Sequence, residues 1–223
     1  MCWNAETSIS AFVVGSVINS IILYVAVQQK KQSLVKLCIG WYWVISMQLW
    51  EYLVWTFPEN TFYSKMAFVF NITQILVLYL LFINGNVENY NKIIASIALL
   101  LYMCVMLYPY KNQKIKVNSC EHLQYSWWDS NWKAVAYMLS LITIFLCLVR
   151  PIQWSASTLA VIILFLIFSM IFYKKYVPSM WCFFAVSVPV FAYLLSLLCF
   201  NKTLTFSWFP KTVKFPVLEF PFS

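Results

Sequence analysis

The chain has 223 residues, of which 63% are hydrophobic, 20% aromatic and 10% charged, and its mean hydropathy is +0.77. Soluble domains carry roughly 25% charged side chains, so this composition excludes a soluble enzyme, a disordered chain and a fibre; with three glycines it also excludes a Gly-rich phosphate-binding fold. The net charge of +8 rests on lysines placed mostly between apolar runs, which is the pattern of anchors near lipid headgroups and not of a nucleic-acid surface.

Seven apolar runs of membrane-spanning character follow one another, and they predict an all-α, polytopic transmembrane bundle of about seven helices. The first, about 8–27, ends at Gln28-Gln29-Lys30-Lys31. The second, about 37–57, stops at Pro58-Glu59-Asn60, and the third, about 66–83, stops at the turn Asn84-Gly85-Asn86. The fourth covers about 93–107 and leads into a polar connection from Lys111 to about Asn131. The fifth, about 132–149, closes at Arg150-Pro151. The sixth, about 155–173, closes at Lys174-Lys175, and the seventh covers about 178–200. Residues 1–200 thus read as one membrane domain, followed by a tail over 201–223 rich in Pro and aromatic residues.

The opening Met1-Cys2-Trp3-Asn4-Ala5-Glu6 has no basic side chain, whereas Lys30, Lys31 and Lys36 follow the first run. This argues against a cleavable signal peptide and predicts an extracytoplasmic N-terminus with a cytoplasmic C-terminus. The orientation rests on the first helix alone. The predicted inside holds Lys30, Lys31, Lys36, Lys92, Arg150, Lys202, Lys211 and Lys214, and about as many basic residues lie outside. The sequons at Asn71 and Asn201 fall within a span and on the cytoplasmic side, so neither is expected to carry glycan.

Glu51 is the acidic residue within a span, on a face with Trp41, Val44, Gln48 and Trp55 at helical spacing. It stands six residues from Phe57, roughly 9 Å below the helix end. Burial favours its neutral form unless a cation or several donors reach it. Asn71 and Gln74 in the third run are expected at a similar depth. The single histidine, His122, follows Cys120-Glu121 in the fourth connection. Span parity places Cys2, Glu6, Gln48, Glu51, Gln74, Cys120, Glu121 and His122 toward one membrane face. Glu51, His122 and Cys2 are therefore the candidates for acid, base or nucleophile, against a plain packing role for Glu51 and the amides. Five of the seven cysteines lie within spans, and no CxxC or zinc-ligand spacing occurs, so neither metal nor cofactor is expected. Cys2 and Cys120 share a side, and a disulfide between them requires Cα atoms within about 7 Å.

Four segments together resemble a family of multi-pass membrane proteins without assigned activity, found in large DNA viruses, algae and other protists and more distantly in bacteria. They are Met1-Cys2-Trp3-Asn4, Met47-Gln48-Leu49-Trp50-Glu51-Tyr52-Leu53-Val54-Trp55, Gln74 and His122-Leu123-Gln124-Tyr125-Ser126-Trp127. The family forms are similar to Met-Cys-Trp-Asn/Ser, Gln-x-x-Glu-x-x-x-Trp, Gln-Pro and His-Leu-x-Trp. Here Ile75 replaces the proline, and Tyr125 stands at the tryptophan of the last motif. The resemblance implies topology and a residue set, not a mechanism. The residues favour a non-catalytic membrane or assembly component, with the lipid bilayer as partner and a homo- or hetero-oligomer as one arrangement. A proton or small-solute pathway through Glu51, Gln48 and Gln74 is the first alternative. A lipid-modifying enzyme with Glu51 and His122 as acid/base is the second.

Overall fold

A computed structural model describes residues 4–107, 115–117, 123–125, 131–173, 184 and 186–200. Among them the chain forms eight helices of nine residues or more and one short hairpin. The helices are α1 (Ala5–Gln28), α2 (Gln32–Thr56), α3 (Thr61–Ile72), α4 (Gln74–Phe82), α5 (Asn89–Leu107), α6 (Asn131–Leu148), α7 (Ile152–Tyr173) and α8 (Val188–Phe200).

The helix ends follow from local chemistry. Asn4 caps α1, its Oδ1 accepting from the Thr7 amide at 2.9 Å, and Glu6 in the first turn complements the helix dipole. At the other end Lys30 takes the left-handed conformation (φ 54°), and the Lys31 amide reaches back to the Ala26 carbonyl at 2.9 Å. This closure reverses the chain within three residues and starts α2 at Gln32. Asn60, after Pro58, caps α3 through the Phe62 amide at 3.0 Å.

The third run is broken. α3 and α4 meet at Thr73 and are bent by 41°. Thr73 Oγ1 donates to the Val69 carbonyl one turn back at 2.6 Å, and itself accepts from Trp43 Nε1 at 2.9 Å. The Tyr102 hydroxyl donates to the Ile72 carbonyl at 3.1 Å. Back-bonding by threonine and a side chain inserted at a ladder carbonyl are both recognised causes of helix bending.

Helices that follow one another in the chain meet through polar and aromatic contacts. Asn19 Nδ2 donates to the Cys38 carbonyl at 2.8 Å, and Trp43 stacks on Phe70 with ring centroids 4.2 Å apart. Tyr79 bonds Ser96, Ser140 donates to the Ala98 carbonyl, Ser155 donates to the Phe145 carbonyl, and Trp154 stacks on Tyr193. Gly40 lets α2 approach α4 closely: a Cβ there would stand 2.7 Å from Leu78 Cδ2. Small and hydroxylated residues at helix contacts are a packing habit of helices in lipid. Within the connection read as polar, β1 (Ile115–Val117) pairs antiparallel with β2 (Leu123–Tyr125) in the register Ile115 to Tyr125, and Ile115 and Leu123 join the buried core.

The outward faces are apolar. Val13, Val14, Val17, Ile21 and Tyr24 of α1 are exposed, as are Ile93, Ile97, Leu100 and Leu101 of α5. Polar side chains are instead buried, among them Asn19, Gln48, Glu51, Asn71, Gln74 and Lys133. By length and composition α1 and α5 can each cross a membrane, and the bent α3–α4 pair makes a third candidate span. α2 has 25 residues but carries Gln48, Glu51 and several Trp and Tyr side chains, which dilute its apolar character.

Candidate functional site

The buried face of α2 runs through Trp41, Val44, Gln48 and Glu51, with Trp55 half-buried at its end. Glu51 retains 2% of its exposure and Gln48 1%. They sit one turn apart, and Gln48 Nε2 donates to Glu51 Oε2 at 3.0 Å. An amide donor from the same helix holds the carboxyl in a defined rotamer and compensates part of its desolvation.

Gln74 is not level with Glu51. The Trp43–Thr73 bond and the Trp43–Phe70 stack fix the α2–α3 register, while Trp50 meets Phe62 and Tyr63 at the start of α3. Eight residues at 1.5 Å rise place Glu51 about 12 Å nearer the Phe57 end than the level of Gln74. The offset arises because α3 begins at Thr61, earlier than the apolar run suggests. By backbone level Gln48 and Glu51 thus stand nearer the Phe57 end, and Gln74 belongs to a deeper centre at the α3–α4 break.

The deeper centre joins three helices. The Tyr137 hydroxyl of α6 donates to Gln74 Oε1 at 2.9 Å, and the Tyr102 ring of α5 meets Tyr137 edge-on at 6.0 Å. Gln74 is 1% exposed, and its Nε2 has no hydrogen-bond partner among the described residues. Asn71, buried one turn before Gln74, lies on the same face.

Two members of this region escape a reading of the sequence. Tyr137 lies in an apolar run, marked only by its spacing from Lys133. Lys133, four residues earlier on the same face of α6, follows Trp132 and so reads as an interfacial anchor; it is 2% exposed. The available signal was the i, i+4 spacing of Lys133 and Tyr137. Asn19, on α1 and apart from this centre, is likewise unmarked in the sequence: its Nδ2 ties α1 to α2, and its Oδ1 is buried without a partner among the described residues.

Of the other candidates, Glu6 is exposed in the first turn of α1, outside the buried cluster. Cys2, Cys120, Glu121 and His122 lie outside the described residues. The next residue, Leu123, is buried in β2. Among the described residues no three His, Cys, Asp or Glu side chains gather to hold a metal ion. Among the described residues the ionisable side chains buried in the interior include Glu51, Cys38, Tyr102, Tyr137 and Lys133, and the hydrogen bonds of Gln48 to Glu51 and of Tyr137 to Gln74 link polar groups within and between helices. Comparison with protein-family models, with curated proteins and with solved structures finds no match to this chain.

Proposed function

We propose that the chain is a seven-span integral membrane component without catalytic activity, and that its buried polar residues lock the helices together. The observation that carries this reading is the inverted distribution of side chains: apolar residues cover the outward faces of α1 and α5, while amides, a carboxyl and a lysine are buried. Seven antiparallel passes result when α3 and α4 count as one. With that count, Glu6, Glu51 and the β1–β2 hairpin lie toward the extracytoplasmic face, and the connections holding Lys30, Asn86 and Arg150 toward the cytoplasm. The motifs around Cys2, Glu51, Gln74 and His122 support membership of the family of multi-pass membrane proteins of viruses and protists. Assembly with further copies or with other membrane proteins is the role such a component would serve.

A proton pathway is the second reading, and the partnerless Gln74 Nε2 favours it, because a buried donor left open is a place where a water can be held at the α3–α4 break. Proteoliposomes loaded with a pH-sensitive dye decide between the two. The structural reading expects proton leak equal to that of empty liposomes for wild type and Glu51→Gln alike. A leak that wild type adds and Glu51→Gln removes would replace it with the pathway.

A further inference from the structure

At the end of the bundle away from Glu51, the α4–α5 connection and the α6–α7 junction enclose an open pocket of about 350 Å³. It is lined by Asn86, Val87, Glu88, Tyr90, Asn91 and Arg150, the chain's single arginine. The guanidinium is held in place. Its Nη1 donates to the Leu146 carbonyl at 2.8 Å and to the Val149 carbonyl at 3.1 Å, capping the end of α6, and its own carbonyl accepts from Ser33 Oγ. Two donors of Nη1 are thereby used, while Nε and Nη2 make no hydrogen bond among the described residues.

Glu88 is exposed in the same lining, where its carboxylate accepts from the Tyr90 hydroxyl, so one cation and one anion face a shared pocket and a ligand ammonium would share the carboxylate with Tyr90. A ligand that satisfies both carries an anionic group for Arg150 and a cationic group for Glu88, with Asn86 and Asn91 as amide partners. Arg is the side chain best matched to phosphate oxygens. Two further features point to lipid as the source. Tyr90, Ile93, Ile97 and Leu101 are exposed at helical spacing along α5, which makes an apolar track from the pocket mouth toward the middle of the bundle. At the same end of the bundle, Lys31 Nζ stands 5.5 Å from the centroid of the Trp154 ring and Lys36 Nζ 5.9 Å from that of the Phe82 ring, an arrangement that suits headgroup level.

We infer that this pocket binds the headgroup of a phospholipid bearing a primary ammonium, of the phosphatidylethanolamine kind, with its phosphate on Arg150 and its ammonium on Glu88. The inference rests on the membrane reading above. The test is native mass spectrometry of the protein released from nanodiscs of equal phosphatidylethanolamine, phosphatidylcholine and phosphatidylglycerol. Wild type is expected to retain phosphatidylethanolamine about tenfold over the other two, a ratio worth about 1.4 kcal/mol and the scale of one charge-assisted hydrogen bond. Glu88→Gln, an exposed position, should erase the preference while lipid is still retained; Arg150→Gln should lower retention of all three. If Arg150→Gln misfolds, Asn91→Ala should weaken phosphatidylethanolamine retention in its place. Soluble glycerophosphoethanolamine should not displace the lipid, because it lacks the acyl chain for the α5 track; displacement would make the ligand a free phosphoamine and overturn the lipid assignment. Equal retention of the three lipids, preference for phosphatidylglycerol, or an unchanged preference in Glu88→Gln would overturn the proposal. A chain released from membranes by alkaline carbonate would instead fail the membrane reading itself.

Discussion

The two ends of this bundle handle charge in opposite ways. Toward the Glu51 end, an acid, three amides and a lysine are buried among helices, and hydrogen bonds between side chains organise them. Toward the Arg150 end, charged groups stay at the surface: Lys30 and Glu88 are exposed, Lys31 lies over an aromatic ring, and Arg150 caps a helix beside an open pocket. The difference is one of solvent. Groups buried between helices must find partners within the protein, whereas groups at the helix ends can use headgroups and water. Substitutions in the first region should therefore be costly, and those in the second should act on what the surface binds.

Glu51 should give the largest effect. Glu51→Leu leaves Gln48 Nε2 without its acceptor and should cost about 1–3 kcal/mol, read as a lowered Tm in detergent. Glu51→Gln, which can still accept from Gln48, should stay within about 0.5 kcal/mol of wild type. If the two variants fall equally, the carboxyl is ionised and paired, and the neutral hydrogen-bonded picture is wrong.

A smaller loss is expected from Tyr137→Phe, which removes the donor to Gln74 at the α3–α4 break. Interhelical hydrogen bonds in membranes are worth roughly 0.5–1.5 kcal/mol, and the same detergent melt reads it. An unchanged melt would mean that a water already serves Gln74.

The opposite end supplies the contrasting case. Lys30 adopts a left-handed conformation that costs a non-glycine residue about 1 kcal/mol. Lys30→Gly should stabilise the α1–α2 turn by about 0.5–1 kcal/mol, the one gain in the series. Loss of stability there would show that the lysine side chain, not the turn, sets the energetics of this end.

The contrast also separates what the sequence discloses from what it hides. Chain reversals are legible where local chemistry dictates them, as at Pro58-Glu59-Asn60 and Asn84-Gly85-Asn86. The buried face of α2 is legible because Trp41, Val44, Gln48 and Glu51 repeat at helical spacing. The bend at Thr73 is only half legible: the threonine that bonds back to Val69 is in the run, but the side chains that meet the break, Trp43 and Tyr102, come from other helices. For the same reason the depth of Gln74 could not be read: it depends on the register between α2 and α3, which a single run does not contain. Lys133 and the β1–β2 hairpin were hidden because burial of a terminal lysine, and pairing of two three-residue strands, are set by what packs over them.

In the proposed seven-span arrangement the two ends of the bundle face opposite sides of a bilayer. Single cysteines placed at Asn60 and at Asn86, in a background with the native cysteines replaced by serine, test this directly by labelling with an impermeant maleimide in sealed vesicles. The account predicts that one position is labelled from outside and the other only after the vesicles are opened. Labelling of both from the same side would contradict it.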